Sequence, residues 1–223
     1  MLQKSTIQFL QNLQKNNHKT WMDANKKAYE NAKADWEQMV GDVIKGLSKT
    51  EPALQDLLPK NCTFRMNRDV RFSKNKEPYK CNFGASIKIG GKKSPYAGYY
   101  FHVEPGASFV GGGFYMPEAP VLAKIRQEID YDLAIFKKII NNKKFTTVYT
   151  NGISTNVSLV NIPKGYAPDN AASAYLKLKS FTAVASIKNE ELHDKAIGKK
   201  VIDSMAALKP FLDFLNRAVV EIE

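Results

Sequence analysis

Six cations, Arg65, Arg68, Arg71, Lys74, Lys76 and Lys80, crowd one stretch of the chain, with Asn67, Ser73 and Tyr79 among them as neutral donors. From Lys60 to Ser94 there are ten lysines and arginines against two acids, Asp69 and Glu77, so this segment holds most of the chain's net +11. Guanidinium groups grip phosphate or carboxylate through paired hydrogen bonds, and ammonium groups act beside them as point charges. The chemistry expected here is the binding of an anionic, phosphate-bearing small molecule. A structural network, in which acids neutralise the arginines, is the competing reading.

A second set could move protons. His102 and Glu104 stand two apart in an aromatic run with Tyr100, and alternate residues of a strand share a face. An imidazole and a carboxylate so placed could serve as base and orienter. Asp69, beside several arginines, is expected to keep its charge, which suits a residue that orients a cation or ligates a metal better than a general acid. An enzyme acting on a phosphorylated ligand through His102, Glu104 or Asp69 is therefore the alternative reading. A nucleic-acid-binding module is the third: basic residues interleave with Phe72, Tyr79 and Phe83, although Phe72 and Phe83 read as core.

Other chemistries have no motif. There is no phosphate-binding P-loop, nucleophile elbow, His-Glu-x-x-His or Cys-x-x-Cys. Gly111-Gly112-Gly113 does not open a helix in the dinucleotide-binding manner, and the three histidines are scattered, so no cofactor or metal site is expected. Cys62 and Cys81 form neither a metal spacing nor a disulfide framework and read as buried free thiols. No apolar run reaches the roughly 18 to 20 residues a bilayer span needs, and no signal-peptide core begins the chain. No membrane partner is expected, and a reducing cytoplasm is the expected setting. The ligand's identity, any cofactor and the oligomeric state are left open.

These residues need elements to position them. With 43% apolar and 25% charged residues the composition is that of an ordinary folded chain. Residues 4–15 read as an amphipathic helix, interrupted by Asn16-Asn17-His18. A second helix spans about 19–48, ended by Gly46, Ser48 and Pro52. From Cys62 to Phe72 apolar and polar residues alternate, which predicts a strand to about Asn67; Arg68 to Ser73 is open between strand and helical turn. Residues 73–82 read as a loop and 83–89 as a strand. Gly98–Glu104 and Ala107–Tyr115 flank Pro105-Gly106 as a hairpin, with Tyr99, Phe101 and Val103 on one face and Tyr100, His102 and Glu104 on the other. Three successive glycines weaken a strand, so close approach to its backbone is expected at 111–113, by a packed helix before a ligand.

A helix begins near Pro117 and Pro120, and a second follows Asp130 or Asp132. Residues 142–170 read as loop-rich, with extended pieces at 145–149 and 157–160. A brief helix at 171–176, a strand at 180–186, a helix capped by Asn189 and a last helix opened by Pro210 complete the chain. The expected fold is α+β: one domain over residues 1–223, with a mainly antiparallel central sheet flanked by N-terminal and C-terminal helices.

The run Arg65-Met66-Asn67-Arg68-Asp69-Val70-Arg71-Phe72-Ser73-Lys74, followed by Pro78-Tyr79-Lys80, resembles domain-of-unknown-function family 2461, whose members are bacterial and in some cases fungal. Asn16-Asn17-His18-Lys19-Thr20-Trp21, with Asn25, Lys26 and Tyr29, is similar to its N-terminal motif. Gly113-Phe114-Tyr115-Met116-Pro117, with Leu122, Ile125 and Arg126, is similar to its middle motif, and Pro163-Lys164-Gly165-Tyr166, with Leu176 and Lys177, to a later one. The resemblance covers nearly the whole chain and implies a single α+β domain without an established activity. Where family members often carry Asp-His-Pro, this chain reads Asp169-Asn170-Ala171, so a general base at that position is missing.

Overall fold

The computed structural model describes residues 1–220. In chain order the elements are α1 (Lys4–Lys15), α2 (Lys19–Ala24), α3 (Lys26–Leu47), α4 (Pro59–Cys62), β1 (Phe83–Ile87), β2 (Gly98–Val103), β3 (Phe109–Phe114), α5 (Ala119–Tyr131), α6 (Leu133–Ile140), α7 (Lys143–Val148), α8 (Ser173–Leu176), β4 (Phe181–Ser186) and α9 (Ile197–Val220). The fold is α+β, with a four-stranded antiparallel sheet in the order β1-β2-β3-β4 and helices before and after it. The chain divides into two compact units, each built from separate segments. Met1–Ser94, Tyr100–Val110 and Ser186–Asp203 make the first, while Pro95–Tyr99, Gly111–Ala185 and residues 204–220 make the second.

In the first unit, Ile7, Leu10 and Leu13 give α1 its buried face. Its start is held from α3: the Asp35 carboxylate accepts the Gln3 backbone N–H at 2.9 Å and the Thr6 hydroxyl at 2.5 Å. The second predicted helix is two helices. Asn25 separates α2 from α3, and its side-chain amide donates to the Trp21 carbonyl at 2.9 Å, in competition with the helical ladder. Gly46 does not end α3 but lies inside it, where a Cβ would collide with the Ile202 side chain. Trp36, on the same helix, is 1% exposed and lies against Phe83 of β1 and Phe101 of β2, with ring centroids 5.9 and 5.1 Å away. Phe101, Tyr99 and Val103 are the buried set that period-two alternation anticipates in the hairpin.

The stretch from Cys62 to Asn67 is not a continuous strand. It joins the sheet through a bridge between Thr63 and Ala85, then forms a second bridge between Asn67 and Tyr79. Asn189 caps no long helix: its side chain accepts the Gly106 N–H of the hairpin tip at 2.9 Å, and only the short turn Glu190–His193 follows.

The second unit accounts for the three glycines. A Cβ on Gly111 or Gly113 would run into the backbone of β4 at Ala183 or Phe181, and one on Gly112 would meet the Gly98 carbonyl and Leu208 of α9. Helix and neighbouring strands both supply the close approach. The extended piece expected at 145–149 is helical instead, because Asn142 caps α7 by accepting the Lys144 N–H at 2.9 Å. The one at 157–160 is reduced to a bridge between Ser158 and Leu178. Pro210 lies within α9 and does not open a new helix. It is exposed, as is Ala206 four residues earlier, so the carbonyl that loses its N–H partner has water available.

Candidate functional site

The basic stretch is a loop pinched at its base. Arg68 N–H donates to the Pro78 carbonyl and Lys80 N–H to the Met66 carbonyl, both at 2.8 Å, leaving residues 69–77 as the tip. A side chain from the break between α1 and α2 fixes this base. Asn17 accepts the Tyr79 N–H at 3.1 Å, donates to the Tyr79 carbonyl at 2.9 Å, and reaches the Cys81 sulfur at 3.3 Å.

The loop sorts its cations. Arg71 closes a bidentate pair on Asp69, at 3.0 Å from Nε and 2.7 Å from Nη2, and both side chains are exposed. That pair holds the Asp69 carboxyl below its usual range. Lys76 donates to the Val70 carbonyl at 3.1 Å. Arg68 turns inward, with Nη1 3.1 Å from the Glu77 carbonyl and 3.8 Å from its carboxylate, and Nη2 3.4 Å from the Ser73 hydroxyl. Among the described residues Arg65 and Lys80 have no ion pair. Burial, and then the neighbouring Arg65 charge, pulls the Lys80 ammonium below the ordinary lysine range, while its Nζ lies 5.6 Å from the centre of the Phe64 ring.

Beside this loop base is an open cleft of about 380 Å³. Gln14, Arg68, Asn75, Glu77, Tyr79, Lys80, Cys81, Asn82 and Glu104 line it. Of the anticipated anion-binding residues, Arg68, Tyr79 and Lys80 therefore meet in the cleft, and Glu104, the residue after β2, joins them. Arg65, Asn67, Arg71, Ser73, Lys74 and Lys76 do not line it, and neither does Asp69. The three arginines do not converge.

The second candidate set comes together. His102 Nε2 lies 2.8 Å from a Glu104 carboxylate oxygen, the imidazole stacks on Phe109 with centroids 4.7 Å apart, and the Tyr100 hydroxyl is 3.5 Å from Nδ1. A carboxylate can only accept, so Nε2 carries the proton and Nδ1 faces the tyrosine. His102 is 12% exposed and Glu104 32%, so the carboxylate is the member that meets the cleft. Burial, and then the Glu104 charge, raises the Tyr100 phenol. Gly84 makes room for that ring: a Cβ there would stand 2.6 Å from the Tyr100 hydroxyl. A carboxylate backed by an imidazole can exchange a proton with a bound molecule.

The cysteines are not activated. Burial pushes the Cys62 thiol up to about 11, and burial outweighs the Asn17 hydrogen bond in raising Cys81. Cys81, Gln14, Asn82 and Asn17 escape the sequence reading as site residues; only the Asn16-Asn17-His18 motif signals one of them. Among the described residues no cluster of histidine, cysteine or acid fits a metal ion, and no helix is long and apolar enough to cross a membrane.

The fold and the cleft define an α+β protein whose mixed-charge cleft is lined by a basic loop, Gln14 of α1 and Glu104 at the end of β2. The chain belongs to the family described as "Conserved hypothetical protein (DUF2461)", whose sequence model matches residues 5–214. No curated protein and no solved structure was found to match it.

Proposed function

We propose that this protein binds a small anionic, phosphate-bearing molecule in the cleft, with Arg68 and Lys80 as its partners. The observation that carries the reading is Lys80: a half-buried ammonium, repelled by Arg65, in a cleft wall and without a carboxylate counterion among the described residues. An anion there would relieve both desolvation and repulsion. If the ligand is also turned over, Glu104 with its imidazole is the pair placed to exchange a proton with it. Two free cysteines accord with a cytoplasmic setting.

Calorimetric titration with inorganic phosphate and simple phosphate esters tests this. Arg68→Ala and Lys80→Ala should each weaken binding about tenfold or more, as loss of a charge-assisted hydrogen bond does. Arg71→Ala, outside the cleft, should leave it unchanged. Affinity should be present at neutral pH and decline as pH rises through the lowered Lys80 pKa, earlier than for a free lysine. Equal affinities across the variants, or no binding, overturn the reading.

A second reading has one specific observation behind it. Phe72 is 95% exposed at the loop tip, with the Arg71 guanidinium 5.8 Å from its ring centre and Lys74 and Lys76 exposed nearby. An aromatic face among cations suits a base stacked above a phosphate chain. Fluorescence anisotropy with a single-stranded oligonucleotide should show binding that weakens with salt, and Phe72→Ala should remove about 1–3 kcal/mol. Salt-independent binding, or an unaltered Phe72→Ala, sinks it.

A further inference from the structure

The charges of the cleft cancel unevenly. Arg68 and Glu77 belong to one another, through the carboxylate contact at 3.8 Å and the carbonyl bond at 3.1 Å. That leaves one charge of each sign on the walls. Among the described residues Lys80 has no carboxylate partner, and the Glu104 carboxylate is met only by the imidazole of His102. Lys80 and Glu104 line the same cleft without forming an ion pair with one another. Two opposite charges held apart across one small space present a polarity pattern, and a ligand matching it must carry both signs in the reverse sense.

Each end is fixed in place. Lys80 takes its position from its backbone bond to Met66 and from the Phe64 ring below its ammonium. Glu104 is held by His102 through one oxygen, Oε2, while its backbone N–H donates to the Ser108 hydroxyl at 3.0 Å and that hydroxyl donates back to the Glu104 carbonyl at 2.8 Å. The second carboxylate oxygen has no protein donor among the described residues. A simple dianion entering the cleft would gain Lys80 and Arg68 but face the Glu104 charge. A ligand with an ammonium group at its other end turns that repulsion into a charge-assisted hydrogen bond.

We infer that the cleft selects an aminated anion, a molecule whose phosphate or carboxylate meets Lys80 and Arg68 and whose ammonium meets the free oxygen of Glu104. This rests on the anion-binding reading and adds the second group to its ligand. Discrimination comes from the carboxylate: a ligand lacking the ammonium leaves Glu104 unpaired beside a new negative charge.

The test compares 2-aminoethyl phosphate with n-propyl phosphate, in which a methyl group replaces the ammonium, by calorimetry on the full chain at pH 8, above the ordinary imidazole range. The amine should bind about tenfold more tightly or better, the worth of one hydrogen bond to a charged group. In Glu104→Gln the two should bind equally, with propyl phosphate as tightly as to wild type or more so. Circular dichroism and a retained thermal midpoint verify that the variant is folded. Asp69→Asn, outside the cleft, should keep the wild-type preference. Equal binding of both esters to wild type, together with loss of both in Arg68→Ala, overturns the amine requirement and leaves anion binding standing. Failure of wild type to bind either ester or inorganic phosphate overturns both.

Discussion

Trp36→Ala is expected to lower stability by about 4 kcal/mol, the cost of truncating a buried tryptophan where its surroundings cannot collapse. The neighbours make collapse difficult. Phe83 and Phe101 are side chains of paired strands, fixed by the sheet, and Trp36 itself projects from the 22-residue helix α3. For a chain of this size the thermal midpoint should fall by on the order of 10 °C. Trp36→Phe separates packing from polarity. The indole N–H is buried and has no hydrogen-bond partner among the described residues, and removing such a donor recovers roughly 1–3 kcal/mol of desolvation, which offsets much of the lost ring. Equilibrium denaturation should therefore place Trp36→Phe close to wild type and Trp36→Ala far below it. Equal losses in the two would show that the orphan N–H costs nothing. The strand that carries Phe101 on the Trp36 side carries Tyr100 and His102 on its other side, so the alanine variant should also loosen the cleft wall at Glu104.

Gly113→Ala is expected to be the most damaging single-methyl change, at about 3 kcal/mol or more. Two costs combine. The residue has φ of 121°, a conformation that L side chains rarely adopt, which alone is worth roughly 1–3 kcal/mol. The added Cβ would also overlap the Phe181 carbonyl oxygen, a backbone atom of the paired strand that cannot rotate away. Gly152→Ala isolates the first cost, since φ there is 64° and nothing lies within 4 Å of the new carbon. Denaturant midpoints should fall modestly for Gly152→Ala and severely for Gly113→Ala. Similar midpoints would mean that β4 yields to the methyl group, and that the glycine serves conformation alone.

Period-two patterning made the hairpin legible: Tyr99, Phe101 and Val103 are buried and Tyr100, His102 and Glu104 share the other face. The contact between His102 and Glu104 follows from that alternation. The same logic failed ten residues past Cys62, where it put Phe72 among the apolar positions. Alternation says nothing once a chain leaves its partner strand, and this one turns away after the bridge from Asn67 to Tyr79. Charge counting located the loop but not its division of labour, because which arginine faces the cleft depends on Asp69 and Glu77 taking one each. The extended piece expected at 145–149 gives way to α7, which the cap supplied by Asn142 favours. The meeting of Gln14 and Glu104 with Arg68 and Lys80 joins distant parts of the chain, and no local pattern carries that information.

Asn17 offers Tyr79 both an acceptor and a donor, so a single side-chain amide imitates the peptide group of an adjoining strand. The segment from Pro78 to Cys81 thus has a borrowed neighbour on one side, supplied by the kink that follows α1. Lys80 and Cys81 inherit their alignment from that imitation, so the cleft's position is tied to a bend between helices as firmly as to the sheet. A change as small as amide to carboxylate at Asn17 would keep the shape and lose the donor, turning a matched edge into a mismatched one.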